Sequence, residues 1–338
     1  IVEDDSAART GSDCGHLIVR FDGSLDLAPI FFSCHMDTVL PAEGVKVKRI
    51  GDLFTSAGET ILGSDDKSGI AACIEALRLV REQGVAHRPL ELVITTCEEI
   101  GLIGAKALDP NLVKAREGYA LDSSGFAKVI THAPALNRIT ITIQGVAAHA
   151  GLHPEWGVNA LVLAGQALAK VPTGRIDEET TANFGTIQGG AASNIVPEKV
   201  VIEAEVRSHS MEKLTRVTEE IKTIFRQTVA AWSDPTGSAK GAPKVEIEVR
   251  QDFAAMQLSQ EMPVLRRVAA AAKSIGMELT YEKAGGGSDA NIFNEHGLAT
   301  AIIATGMTNV HSTNEQVELQ DMVDLTRLLI ALMTETSC

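Results

Sequence analysis

No apolar run in these 338 residues is long enough to cross a bilayer as a helix. Basic charge is short too. Thirty Lys and Arg face 44 Asp and Glu, a formal net charge of -14, which argues against nucleic-acid or anionic-membrane partners. No Gly-x-Gly-x-x-Gly follows an apolar strand and no Walker pattern occurs, so neither a dinucleotide enzyme nor a P-loop is expected. The five cysteines, Cys14, Cys34, Cys73, Cys97 and Cys338, are odd in number and make no Cys-x-x-Cys. A disulfide scaffold is therefore not indicated, and a reducing, cytoplasmic location is expected. The opening Ile1-Val2-Glu3-Asp4-Asp5 has neither an initiator Met nor a signal-peptide pattern, so a trimmed upstream end is expected and what precedes Ile1 stays open. Internal repeats and low-complexity tracts are also missing.

What is present reads as α/β. Strands are predicted over 16–21, 29–34, 90–97 and 117–122, with a helix over 67–83 whose stripe is Ile70, Ile74, Leu77 and Val80. Alternating strands and helices imply a mostly parallel central sheet. The texture changes near Asn137. Residues 138–144 alternate Ile139, Ile141 and Ile143 against Thr140, Thr142 and Gln144, the mark of a half-buried strand. A helix over 158–171, strands over 183–188 and 199–207, a helix over 211–232 and a strand over 244–249 complete a split βαβ, ferredoxin-like α+β unit. After Asp252 the first texture returns: helix 260–275, strand 278–282, helix 290–295, strand 300–304 and helix 319–334. The expected division is therefore 1–134 with 252–338 as one discontinuous domain, and 135–251 as an inserted one.

The chemistry-bearing residues fall where buried strands run out. Phe31-Phe32-Ser33-Cys34-His35-Met36-Asp37 ends in His-x-Asp, and Leu92-Val93-Ile94-Thr95-Thr96-Cys97-Glu98-Glu99 ends in a Glu pair. Asp65-Asp66 opens a helix, Asp122 ends a strand and His311 lies in a late loop. In open α/β sheets ligands gather at the carboxyl ends of strands. Imidazole and carboxylate suit divalent metals such as zinc. A two-metal hydrolytic site needs a bridging carboxylate, two further ligands per ion and a free base. His35 with Asp122 would hold one ion, Glu99 with His311 the other, and Asp65 would bridge them. Glu98 would be the general base, and Asp37 would orient the His35 ring. Cys34 and Cys97, each just before a site residue, read as small apolar filler, with thiolate ligation as the alternative.

Taken together, His35-Met36-Asp37, Gly63-Ser64-Asp65-Asp66-Lys67, Glu98-Glu99, Leu121-Asp122 and Val310-His311-Ser312 resemble the di-zinc metallopeptidases that include peptidase T, carboxypeptidase G and the aminoacylases. The spelling Asp65-Asp66-Lys67-Ser68-Gly69 and the acidic start are most similar to the peptidase T branch. The resemblance implies two zinc ions per subunit, with cobalt or manganese as substitutes, and short peptides as substrates. It implies that the inserted domain is a lid and the interface of a homodimer. In Gly145-Val146-Ala147-Ala148-His149-Ala150-Gly151 it implies that His149 supports the oxyanion in the partner subunit's site. It likens Asn194 and Arg207 to substrate-contacting positions, Arg207 as a bidentate carboxylate clamp. The loop before Asp289 offers Gly286, Gly287 and Ser288 for close backbone approach to a ligand. His16, His87, His132, His153, His209 and His296 match no ligand position and read as structural. The expected activity is tripeptide aminopeptidase. Its rivals are a carboxypeptidase or N-acyl amino-acid amidohydrolase and, from another class, a non-catalytic binding or scaffold protein.

Overall fold

The computed structural model describes residues 1–336, so Cys338 lies outside the described residues. It divides into two compact units: Ile1–Ala133 with the segment from Met256 onward, and Pro134–Ala255. Pro134 and residues 252–255 thus fall with the inserted unit, not the first. The last strand of the insert runs on to Phe253, which still pairs with Leu136.

The first unit is built on a mixed sheet. Strands Leu90–Thr95, Ile30–His35, Glu117–Ala120 and Ala299–Ile303 lie side by side and parallel. Leu17–Phe21 joins one flank and Lys128–Ala133 the other, both antiparallel to their neighbours. All six residues of Ile30–His35 are buried, as a strand covered on both faces requires. Beyond the strand ends the ladder continues for one more bond on each side, Met36 N to Thr95 O and Leu121 N to Ser33 O, both 2.9 Å. The residues just past these strands are therefore held in register with one another.

Helix Ser64–Gln83 packs on this sheet with Ala72, Cys73, Ala76 and Val80 buried. The predicted stripe is displaced: Ile70 and Leu77 are only partly buried, and Ile74 is 56% exposed. Small side chains let the helix axis come close, and Gly69 shows how close. A Cβ there would lie 2.9 Å from Leu121 O and 2.7 Å from Asp66 Oδ1. The helix also begins earlier than predicted, at Ser64, but Asp65 and Asp66 have non-helical dihedrals and are joined by a cis peptide bond.

A four-stranded antiparallel sheet was not expected from the sequence. Its order is Met307–Thr308, Gln316–Glu318, Leu53–Ser56 and Val47–Ile50. The hairpin between its first two strands carries His311.

The inserted unit is a five-stranded antiparallel sheet in the order Gly174–Asp177, Thr180–Gly189, Lys199–Ser208, Ala135–Gln144, Lys244–Phe253. Helices Ala160–Leu168 and Met211–Ala230 share its core with Ile139, Ile141 and Ile143, all three at 0% exposure. The predicted alternation thus describes the buried face. The short strand Gly174–Asp177 is additional to the split βαβ pattern. Strand Ala135–Gln144 is an interior strand, paired on both sides, so it offers no free edge. Thr180–Gly189 is different: its outer neighbour covers only Thr180 to Ala182.

Candidate metal centre

The site assembles from adjacent strand ends. His35 is the last residue of its strand. Glu98 and Glu99 follow Leu90–Thr95, and Asp122 follows Glu117–Ala120. Because these strands are neighbours, their ends converge. His35 Nε2 lies 3.0 Å from Asp65 Oδ1 and 3.9 Å from Asp122 Oδ1. His311 Nε2 lies 3.2 Å from Asp65 Oδ2 and 3.0 Å from Glu99 Oε2. Asp65 therefore touches both histidines, one with each oxygen, as a bridging carboxylate would. Ligand atoms of His35, Asp65 and Glu99 fall within 4.8 Å of one another, a spacing that could hold a metal ion.

Asp37 does more than orient an imidazole. Its Oδ1 and Oδ2 accept from Glu98 N and Glu99 N, each at 3.1 Å, and its carboxylate and carbonyl lie 3.6 and 3.2 Å from His35 Nδ1. One side chain thus aligns the base, a ligand and the histidine opposite. Burial alone would lift the Asp37 pKa, but the His35 hydrogen bond and charge and the two amides hold it below the usual carboxylate range. With Nδ1 turned to Asp37, Nε2 is the nitrogen left for a metal.

The electrostatics are those of crowded acids. Burial and the charges of Asp122, Asp289 and Glu99 push Glu98 well above an ordinary glutamate, against the pull of His35. Burial likewise raises Asp122, helped by Asp65, Asp289 and Glu99, and raises Glu99, helped by Asp65. Burial opposes charge on His35, yet bonds with Asp37 and Asp65 and the charges of Asp122 and Asp66 outweigh it, and its pKa is well above the ordinary range. Glu99 Oε1 and Asp66 Oδ1 are buried without a hydrogen-bond partner. Four carboxylates crowded about two imidazoles, Glu99 with one oxygen unpaired, fit divalent cations, which would supply the missing positive charge.

Two site-flanking residues, Cys97 (φ 58°) and His311 (φ 61°), hold left-handed backbone conformations. Each costs roughly 1–3 kcal/mol, a strain typical of residues whose side-chain direction matters more than local stability. Cys34 settles as filler: it is 2% exposed, and burial and the Cys73 side chain push its thiol up, away from a thiolate ligand.

The other expected residues have surroundings of their own. His149 and Asn194 are neighbours within the inserted unit, where Ala150 N donates to Asn194 O at 2.9 Å and His149 forms a bridge with Ile195. His149 Nδ1 accepts from Gly151 N and Leu152 N, both 3.2 Å, which leaves the proton on the exposed Nε2. The Arg207 fork is already engaged by Glu205, at 2.8 and 3.2 Å, so it does not stand open as a carboxylate clamp. Ser288 is buried, and its hydroxyl accepts from Ala290 N as the cap of helix Asp289–Glu295. Gly286 and Gly287 are half-buried in the loop before it. His16 is a core histidine, bonded to Gly104 O at 2.9 Å and to Thr96 N at 3.1 Å.

Three residues were not singled out from the sequence. Asp66 is fully buried and accepts from His35 N at 3.2 Å. Asp289 accepts from Thr95 Oγ1 at 2.6 Å, at the end of the strand that leads to Glu98. Glu315 accepts from the loop that precedes Asp65. Asp66 and Asp289 stood beside motifs that drew attention to Asp65 and Ser288. Glu315 carries no local signal.

Several known proteins are similar to this chain. The uncharacterized protein YqjE of Bacillus subtilis (strain 168) is 39% identical over 338 residues, all of this chain and 89% of its own length. Peptidase T of Exiguobacterium sp. is 26% identical over 281 residues, 82% of this chain and 66% of its own. The chain thus spans about two thirds of the length of the curated peptidases T that it matches. Among solved structures, aminopeptidase PepT from Bacillus cereus ATCC 10987 superposes with a TM-score of 0.87 at 38% identity, over 98% of this chain and 87% of that one. A tripeptidase from Staphylococcus aureus gives a TM-score of 0.90 at 32% identity and the same two coverages. With residues 31–335 matching Peptidase family M20/M25/M40, and the strand ends meeting as described, this chain belongs to that family of peptidases.

Proposed function

We propose that the protein is a cytoplasmic two-metal aminopeptidase of the peptidase T kind, releasing the N-terminal residue of tripeptides and other short peptides. The observation that carries this reading is the meeting of His35, Asp65, Glu99, Asp122 and His311 beside a half-buried Glu98. The similar aminopeptidase and tripeptidase support the choice of substrate.

His35 and Asp122 would hold one zinc ion, Glu99 and His311 the other, with Asp65 shared; cobalt or manganese would substitute. The ions would polarise the scissile carbonyl and lower the pKa of the attacking water. Glu98 takes that water's proton and passes it to the leaving amine. Asp37 keeps Glu98 and His35 in place through its bonds to their segments. In this reading the insert is lid and homodimer interface. Residues 183–189 of the incompletely covered strand are the pairing edge, and His149 of the partner subunit donates its Nε2 proton to the oxyanion.

Metal analysis coupled to a hydrolysis panel tests the reading. The purified protein should carry two divalent ions per subunit and cleave unblocked tripeptides. Acetylating the α-amino group should abolish cleavage. A preference for acetylated substrates would transfer the assignment to an N-acyl amino-acid amidohydrolase or carboxypeptidase. Full metal loading with no hydrolysis of any class would leave a binding or scaffold protein.

A further inference from the structure

Helix Ser64–Gln83 begins without a cap of its own. Gly63 stands at the N-cap position in a left-handed conformation and has no side chain to offer. The first amides of any helix lack intrahelical acceptors. Here a residue from the far end of the chain accepts from one of them, Asp65 N, and from the two amides just before the helix. Glu315 Oε2 accepts from Leu62 N at 2.8 Å and Gly63 N at 2.9 Å. Its Oε1 accepts from Ser64 Oγ at 2.6 Å and Asp65 N at 2.9 Å. Glu315 is itself 1% exposed, and it closes the same hairpin loop that carries His311.

We propose that Glu315 is a positioning residue that locks the Asp65 loop to the His311 loop, and so sets the spacing of two metal ligands from opposite ends of the sequence. The proposal rests on the two-metal reading above. Asp65 must face both histidines with separate oxygens, and its backbone is not held by helical geometry. The four donors fix it instead. An amide in place of the Glu315 carboxylate has one acceptor oxygen. If that oxygen keeps Leu62 N and Gly63 N, the new NH2 faces Asp65 N, donor against donor, and the bridging carboxylate loses its anchor.

The test compares metal affinity with stability in the full-length protein. Metal-free Glu315→Gln is titrated with zinc against a competing chelator and is also melted. Zinc should bind about 10–100-fold more weakly than in wild type, the loss usual when a partner of a metal ligand is removed. Glu91→Gln is the control. Glu91 is a buried carboxylate that accepts from Lys114 N and Ala115 N, both 2.7 Å, and from Arg20, in the same unit but outside the ligand set. It should lower the melting temperature and leave zinc affinity unchanged. Should Glu315→Gln not fold, Ser64→Ala removes one donor only and should weaken zinc roughly two- to tenfold. If the folded variant loses stability but binds zinc like wild type, Glu315 is merely structural and the proposal fails. Wild-type protein that binds no zinc would instead sink the two-metal reading, and this proposal with it.

Discussion

The two units treat their charges in opposite ways. In the inserted unit, charged side chains find partners near the surface: Arg138 with Asp252 at 2.5 Å, Arg207 with Glu205 at 2.8 Å, Lys213 with Glu179 at 2.8 Å. In the first unit, carboxylates are packed together at strand ends, with Glu99 Oε1, Asp66 Oδ1 and Asp289 Oδ1 buried and unpartnered. Both units have well-filled cores. The contrast therefore lies not in packing but in where polar groups are left unsatisfied. A fold tolerates such groups when something outside the polypeptide completes them. Unsatisfied atoms also occur elsewhere in the first unit, at Asp4, Arg88 and Arg267, but its buried acids crowd together around His35.

The sharpest way to break this comparison is Glu98→Gln. The amide cannot take a proton, so turnover of a tripeptide should fall about a hundred- to ten-thousand-fold while both metals stay bound. Near-normal turnover would show that the crowding has another purpose. Lost metal would mean that Glu98, not Glu99, is a ligand. Next comes a cut in the core of the other unit. Ile141→Ala removes a fully buried side chain and should cost about 2–5 kcal/mol in unfolding experiments, with metal content and KM for the first unit's site unchanged. If metal content falls in step with stability, the separation drawn between the units does not hold.

A third experiment reads the crowding directly through pH. Glu98, Glu99, Asp122 and Asp66 have raised pKa values, so the folded, metal-free protein binds more protons than the unfolded chain above the ordinary carboxylate range of about 4. Stability must then fall as pH rises through those values. His35 has the same sign, since its stabilising contribution is complete below about 6.5 and is lost as pH rises through its raised pKa. Asp37 opposes weakly, losing its contribution only as pH falls through its depressed value. The melting temperature of chelator-treated protein should therefore drop as pH rises above the ordinary carboxylate range of about 4, and zinc should abolish that drop. A flat metal-free profile would mean that the acids are compensated from within. The smallest expected effect lies in the insert. Ser210 caps helix Met211–Ala230 through Lys213 N, and Ser210→Ala should cost about 1 kcal/mol with no change in the pH profile.

Much of the site was legible because His35, Glu99 and Asp122 lie at or just past the ends of short, largely apolar strands. In Ile30–His35 and Leu90–Thr95 the buried run gives way to ionisable residues at its end or a few residues on, and parallel neighbours bring such places together. The insert was legible for another reason: Ile139, Ile141 and Ile143 alternate cleanly because one face is buried and the other is not. The small sheet left no such trace. Val47–Ile50 is exposed throughout, Leu53–Ser56 is intermediate throughout, and Met307–Thr308 is two residues long. None can show a period. The sequence could not show that the Arg207 fork meets Glu205 two residues back, because a side chain's chemistry says what it can bind, not what already binds it. Glu315 was invisible because its partners are four backbone and side-chain donors some 250 positions away.

That distance has a consequence for the birth of the protein. His35, Asp65, Glu99 and Asp122 are all translated before the inserted unit begins, whereas His311 and Glu315 follow its end. The emerging chain thus has most of its ligands but not the hairpin that closes the site, and the helix bearing Asp65 waits uncapped. Domains fold broadly as they leave the ribosome, and long-range contacts come last. The five proposed ligands can come together only once the segment that follows the inserted unit has been made.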